Sequence, residues 1–490
     1  MKLKNGIKKI GLIIILICQL TFLQEIKAEI KLPAIISSNM VLQRNSTVVI
    51  WGWAEANEKI DLEASWLNKL ESFQADSKGN WRIELKTTNS KEAQIIRIKD
   101  KSSNITLDNI LFGEVWLCSG QSNMEQPIRG YIGQPVFKSN MATAKSNNPN
   151  LRLFTVKRNG SKEPLKDVDG HISWESASSE SVSDFSAIGY FFGRQLQEIL
   201  DCPVGIIHSS WGGSSIRAWV GDETIANYQK DNSENVEYPE GIKYEPTTLF
   251  NAMINPLLSF RIKGVLWYQG ETNRKEPENY RTLFPSMVKN WRDRWGIGNF
   301  PFYYVQIAPY LYGNNDVFQT PENSAFIREV QLQSLDLIPN SGIAITMDIG
   351  EGYTIHPPRK KDVADRLLFN ALQQTYSYKS IDYSGPVYDS FEIKADEIIL
   401  KFKQAETGLF SFNKLEGFEI AGQDKVFYPA TAEIANRTMD VIVKSDLVPS
   451  PVAVRYCWRN WVVGTLFDTQ LLPASSFRTD EWNNAKRIKN

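Results

Sequence analysis

Gly113-Glu-Val-Trp-Leu-Cys-Ser-Gly-Gln-Ser-Asn-Met124 is the stretch on which the fold turns. Val115 to Cys118 is a short apolar run of the kind buried inside a sheet. Ser119-Gly120 is a turn signal that stops the run, and Ser122 follows at once, flanked by the amides of Gln121 and Asn123. A serine presented at the exit of a core strand is one way a fold exposes a nucleophile. The same residues also make an ordinary polar turn, so the choice depends on what the rest of the chain brings to that strand end.

Outward from this stretch, residues 109–376 alternate strand-like and helix-like patterns. Further strand candidates are Leu151–Val156, Val204–His208, Val265–Tyr268, Phe302–Gln306 and Ile343–Met347. Between them, Ala187–Leu200 sets Ile188, Phe191, Phe192, Leu196 and Ile199 on one side at helical spacing. Asn279–Trp295 does the same with Tyr280, Leu283, Phe284, Met287, Val288 and Trp291, and stops at Gly296. Near-continuous apolar strands alternating with helices predict an α/β domain, a parallel sheet covered on both faces. Such sheets take ligands at the carboxyl ends of their strands. Four polar segments fall there: Ser122, the Gly212-Gly213 pair, Gln269-Gly-Glu271, and Asp348 to His356.

The flanks differ from this centre. Residues 29–108 carry short strand patterns (Val48 to Trp53, Lys59 to Ala64, Trp81 to Leu85, Gln94 to Ile98) separated by turn signals, and predict a small β-sandwich. Residues 377–490 turn β-rich again and predict a second sandwich, or an extension packed on the central domain. Residues 1–28 have a basic start (Lys2, Lys4, Lys8, Lys9) and an apolar run from Gly11 to Leu23, too short to span a bilayer comfortably, and read as a secretory signal peptide. The expected location is secreted, periplasmic or otherwise extracytoplasmic, with no transmembrane helix in the mature chain.

Composition removes several classes of function. With 55 basic and 56 acidic residues the net charge is −1, which offers nucleic acid or an anionic membrane no electrostatic partner surface. Beyond Cys18 in the leader, Cys118, Cys202 and Cys457 are too few and too scattered for a disulfide framework or a zinc site. No metal or other cofactor is expected.

Acyl transfer by a serine needs a hydroxyl, a base and donors for the oxyanion. The chain has three histidines, so the search for the base is short. His356 follows the last strand candidate and precedes Pro357-Pro358, which suit the start of a helix carrying Val363, Leu367 and Ala371. His208 ends a strand at the same rim and reads as a histidine packed beneath the Gly-Gly turn; His171 reads as surface. The backbone N–H groups of Ser122 and of Gly212 or Gly213, with the side-chain amide of Gln269, are the donors expected from their positions. There is no Gly-X-Ser-X-Gly elbow of a lipase or peptidase at Ser122.

Gly120-Gln-Ser-Asn-Met124, Trp211-Gly-Gly-Ser-Ser-Ile-Arg-Ala-Trp219, Trp267-Tyr-Gln-Gly-Glu-Thr-Asn273 and Ile355-His-Pro357 together resemble the sialate O-acetylesterases, a group of SGNH-type hydrolases. Met40-Val-Leu-Gln-Arg44, Trp51-Gly-Trp53, Val454-Arg-Tyr456 and Leu472-Pro-Ala-Ser-Ser-Phe-Arg-Thr-Asp480 extend the resemblance over nearly the whole mature chain. It implies a flavodoxin-like three-layer catalytic domain between β-sandwich-like flanks, and a serine esterase acting on O-acetylated sialic acid. It makes Ser122 the nucleophile and His356 the base, with the oxyanion donors in Gly212, Gly213 and Gln269. Glu271 matches the family's Gln-Gly-Glu and would orient the loop or the base; Asn123 stands beside the nucleophile as an orienting or binding residue.

The chain departs from the family at one point. The acid two or three residues before the histidine is absent, since Tyr353 and Thr354 occupy those positions. Asp348 at the strand end is the favoured substitute for the third member of a triad; Glu351, or a backbone carbonyl that leaves a Ser–His dyad, are the alternatives. A sialic acid carboxylate would suit Arg217 or Arg129, though each also reads as an ordinary surface or structural arginine. Acetylated xylan or pectin would use the same chemistry, and a noncatalytic glycan-binding protein is the rival from another class.

Overall fold

The apolar run before Ser122 is the end of a far longer strand, β1 (Asn104–Gly120), of 17 residues. In the computed structural model, which describes residues 29–231, 239–313, 322–435 and 440–488, every residue of β1 from Ile110 onward is buried, whereas most of the residues before it are exposed. The leader expected over residues 1–28 lies outside the described residues. The change of character falls at Asn109, whose φ of 53° puts it in the left-handed region that asparagine tolerates. The border expected near 108–109 therefore lies inside a continuous strand. Before it, β1 pairs antiparallel with Gln94–Lys99; after it, β1 is the centre of a parallel sheet.

That sheet also contains β2 (Asn148–Thr155), β3 (Glu175–Ala177), β4 (Val204–Ser210), β5 (Gly264–Tyr268), β6 (Phe302–Val305) and β7 (Ser341–Ala344). The order is β7-β6-β5-β1-β4-β2-β3, and every pair is parallel except β2 with the short edge strand β3. The chain leaves β1 to one side for β2 to β4 and returns to the other side for β5 to β7, so β1 is the point where the strand order reverses. This is where open α/β sheets form their binding crevice. The register sharpens the point, because Gly120 lies opposite Ser210 of β4 and Tyr268 of β5. Three loops thus start side by side at one rim.

Alternation along β1 divides the core in two. Val115 and Leu117 face a cluster that includes Met287 and Trp291 of α2 (Pro277–Trp295) and Ile327 and Val330 of α3 (Ala325–Leu337). Trp116 and Cys118 face Ile188 and Phe192 of α1 (Ala187–Leu200) and Val363 and Leu367 of α4 (Lys360–Asn370). The molecule is a mixed α/β fold with a large central sheet and helices on both faces. Ile199, expected on the apolar side of α1, is 42% exposed at the last turn. The last strand is shorter than its apolar run predicts: β7 stops at Ala344, and Ile345 to Met347 continue as buried irregular chain.

Both flanks are built of strands and are tied to this sheet. Thr47–Trp53 pairs with Asn80–Lys86, and Lys59–Ala64 lies between Leu70–Gln74 and Gln94–Lys99. Val41–Gln43 runs parallel to Leu111–Gly113 of β1, so the N-terminal region is hydrogen-bonded to the strand that leads to Ser122. The C-terminal residues form a four-stranded and a five-stranded sheet. They dock on α3 through Arg328, which is fully buried and donates to Ser476 Oγ (3.1 Å), Cys457 O (3.2 Å) and Arg459 O (2.6 Å). A buried guanidinium needs such partners to be tolerated. Cys118, Cys202 and Cys457 are all buried and unpaired.

Candidate active site

Gly120 ends β1 with φ = 136°, and a Cβ there would lie 2.1 Å from Tyr268 O. Only glycine permits so close an approach of β1 to β5 with that backbone. The chain then turns: Gln121 N–H donates to Tyr268 O (2.9 Å), and Ser122 opens a single helical turn, Ser122–Glu125. Ser122 is half-buried at the rim.

The loop after β4 comes directly against it. A Cβ on Gly212 would stand 3.3 Å from Ser122 Cβ. The Gly212 N–H is already used, however, since it donates to Glu125 Oε2 (2.9 Å). Gly213 has φ = 73°, a conformation suited to glycine. Among the described residues the backbone N–H groups of Ser122 and Gly213 have no hydrogen-bond partner.

Gln269 is at the expected strand end but not in the expected role. Its amide group has two hydrogens, and it donates to Ser214 O (3.1 Å) and Asn273 Oδ1 (2.7 Å). Neither is left for an oxyanion. Asn273 in turn accepts from Ile216 N–H (3.0 Å) and donates to Ser215 Oγ (3.1 Å). Gln269 and Asn273 are therefore a buried frame that holds the Gly-Gly-Ser-Ser loop in place.

His356 reaches the same corner from the segment after β7. Asn123, next to Ser122, donates to the carbonyl of Ile355, next to His356 (3.0 Å). Tyr131 touches both sides: its hydroxyl donates to Ser122 O (3.4 Å) and its ring meets the imidazole edge-on at 5.3 Å. The Nδ1 of His356 is hydrogen-bonded to Gln134 Oε1, and Nε2 is buried without a protein partner. Burial pushes the His356 pKa down to about 4, with the Lys360 cation adding to the effect. Thr354, which stands where an acid was expected, accepts the backbone N–H of His356 (3.2 Å) and so shapes the turn.

Asp348 is not the partner of His356. Both its oxygens are taken by Arg366 of α4, at 2.8 and 2.7 Å, in a bidentate pair in which each side chain is 8% exposed. The guanidinium is a stronger and better-shaped partner than an imidazole on another loop. Glu351 is exposed and makes no hydrogen bond to His356. Asp348→Asn should therefore cost about 3 kcal/mol or more of stability, the usual result of leaving one buried charge unpaired. Urea unfolding reads that loss. The pH profile of the enzyme that remains folded should be unchanged, and an altered acid limb would return Asp348 to the triad.

Next to Ser122, Asn123 is the centre of a buried polar bridge. Asn123 donates to Glu271 Oε1 (2.5 Å) and accepts from Lys360 Nζ (2.5 Å), and all three residues are at most 3% exposed. Burial raises the Glu271 carboxyl, and it lowers Lys360 to about 7 against the opposing pull of Glu271. Asn123 and Glu271 thus link the turn that carries Ser122 to the loop after β5 and to α4. Lys360, the first residue of α4, was not anticipated; lysine by type reads as exposed, and its place beyond the two prolines was the only clue.

The other expected residues make contacts of their own. Arg217 is half-buried in the Ile216–Trp219 turn, where its carbonyl accepts Thr247 N–H (3.0 Å). Arg129 pairs with Asp184 (2.7 Å) on the surface. His208 is buried with its ring on Phe185, and burial lowers its pKa to about 4; His171 is exposed. A cleft of about 720 Å³ is lined by Glu125, Tyr131 and Arg158 together with Arg129 and His208, and neither Ser122 nor His356 lines it. Glu125 lies on the Ser122–Glu125 turn itself, and the short spacing was its only sequence signal. Among the described residues no cluster of His, Cys, Asp and Glu could hold a metal ion, and no helix is long and apolar enough to cross a membrane.

The profile of a family described as carbohydrate esterase, sialic acid-specific acetylesterase, matches residues 113–356, from the start of the β1 apolar run to the histidine. The sialate O-acetylesterase of Rattus norvegicus is 28% identical, covering 87% of this chain and 89% of its own length. The Homo sapiens sialate O-acetylesterase is 27% identical over 87% of each chain. Among solved structures, a carbohydrate acetylesterase from Xanthomonas citri superposes with a TM-score of 0.84 at 34% identity, covering 92% of this chain and 100% of that one.

Proposed function

Because the chain belongs to the sialic acid-specific acetylesterase family and is a carboxylic ester hydrolase, we propose that it removes O-acetyl groups from sialic acids through an acetyl-enzyme on Ser122. The Ser122 hydroxyl attacks the acetyl carbonyl while His356 Nε2 takes its proton. The tetrahedral oxyanion is met by the backbone N–H groups of Ser122 and Gly213, each worth about 100- to 1000-fold in rate. His356 then returns the proton to the sugar oxygen as it leaves. A water, deprotonated by the same nitrogen, attacks the acetyl group; the acyl–Oγ bond breaks, the proton returns to Ser122 Oγ, and acetate is freed. The observation that carries this reading is the Asn123 hydrogen bond to Ile355 O, which ties the residue after the nucleophile to the residue before the base.

The parallel strand order with its reversal at β1 supports an SGNH-type, flavodoxin-like catalytic core, and the strand-built flanks are consistent with sandwich-like appendages. The basic and apolar leader supports export, with the enzyme working outside the cytoplasm.

A second reading keeps the chemistry and changes the sugar. The Xanthomonas citri relative is described as a carbohydrate acetylesterase, with no sugar specified, and neutral acetylated polysaccharides such as xylan are the competing substrates. Acetate release by the purified enzyme from O-acetylated sialic acid and from acetylated xylan separates the two. Faster release from sialic acid is the expected outcome; release from xylan alone would overturn the substrate assignment and keep the mechanism.

A further inference from the structure

We propose that Gln134 is the positioning residue of His356, a neutral amide standing where a serine–histidine–acid triad has its carboxylate. The inference rests on the reading of Ser122 and His356 as the reacting pair. By accepting the Nδ1–H, the Gln134 carbonyl fixes the imidazole in the tautomer whose lone pair is on Nε2, the nitrogen that must take the serine proton.

The backbone that carries this side chain is held in place. The Gln134 backbone N–H donates to Tyr131 O (2.9 Å), and the Gln134 backbone carbonyl accepts from Tyr131 N–H (3.0 Å) and from the buried Gln126 Nε2 (2.9 Å). Three residues on, Phe137 N–H donates to Pro358 O (2.9 Å), which clips the same loop to the segment carrying His356. Tyr131, between these anchors, packs its ring on the imidazole. The loop therefore meets the imidazole twice, through the Tyr131 ring and at Nδ1.

What sets Gln134 apart from a triad acid is charge. The ionisable groups around His356 are Lys360 on α4, Glu271 reached through Asn123, Glu125 reached through the Tyr131 hydroxyl (3.4 Å), and Tyr131 itself. Glu271 is shared with Lys360 through Asn123, and Glu125 pairs with Arg158. None of these carboxylates bonds to the imidazole. The imidazolium has a cation nearby and no anion in contact, so His356 remains a free base in mildly acidic solution. The acid limb of activity should then lie below that of an enzyme whose histidine is paired with a carboxylate.

Gln134→Glu tests this with almost no change of shape. It sets a carboxylate in contact with Nδ1–H, which should raise the titration midpoint of His356 and the acid limb of kcat/KM together, by about one pH unit or more. The chain has three histidines, so imidazole NMR follows His356 directly, assigned by the signal lost in His356→Ala. Gln134→Ala should lower kcat about tenfold or more with KM little changed, and no upward shift of the acid limb. If Gln134→Glu leaves the His356 midpoint at the wild-type value and Gln134→Ala leaves kcat intact, the inference is wrong, even if His356→Ala is inactive. If the midpoint moves while His356→Ala keeps wild-type activity, the reacting pair has been misidentified and the Gln134 contact stands.

Discussion

Ser122→Ala should lower acetate release by about 10⁴- to 10⁶-fold, the loss typical of removing a serine nucleophile from a working unit. The residual rate would come from the Ser122 and Gly213 N–H groups, which the substitution leaves in place. Stability should scarcely change, because the Ser122 hydroxyl makes no hydrogen bond to another described residue and the site is half-buried. The turn itself is held by Asn123, Gln121 and Met124, whose N–H donates to Gln121 O (2.9 Å). A variant with a normal melting temperature and lost activity is the expected pair of results. Acetate release within tenfold of wild type would remove Ser122 from the chemistry.

Gly120→Ala should be the most damaging small substitution at the site. The added carbon would lie 2.1 Å from Tyr268 O and 2.7 Å from Tyr268 C, both backbone atoms, at φ = 136°. Neither atom can swing away as a flexible side chain would. Relief requires β1 and β5 to separate where Gln121 N–H bonds to that same Tyr268 O. Steric overlap and an unfavourable φ together should cost about 4 kcal/mol or more, read by urea unfolding, and the nucleophile turn should shift with the strand. A variant as stable and active as wild type would mean that the β1–β5 spacing is looser than described.

The centre of the fold was legible because its periods are clean. Apolar runs of strand length and helices such as Pro277–Trp295 with one buried face leave little choice but a covered parallel sheet. What the periods could not give was register: the alignment of Gly120 with Ser210 and Tyr268, which brings three loops together, arises only once the strands pair. The helical pattern also overreached at Ile199, since the last turn of α1 projects beyond the core it was expected to cover.

At the site, Ser122 stood out by position and His356 by scarcity. The errors came from assigning side chains by position alone. Gln269 sits at a strand end that faces the rim, but Asn273, four residues on, and the Ser214 carbonyl take its amide hydrogens. Asp348 also sits at the expected edge, but Arg366 is eighteen positions later, one helix away, and nothing in the sequence marks it as the partner. Glu125, Tyr131, Gln134 and Lys360 act through contacts between segments far apart in the chain or through a local turn, and such contacts carry no periodic signal.

In the proposed chemistry Ser122, activated by His356, carries the acetyl group. Treating the purified wild-type chain with a serine-directed phosphonate and mapping the adduct by peptide mass spectrometry tests it most directly. The predicted result is a single stoichiometric adduct on Ser122, formed far more slowly in His356→Ala. An adduct on another serine, or labelling of Ser122 at an equal rate without His356, would contradict the account.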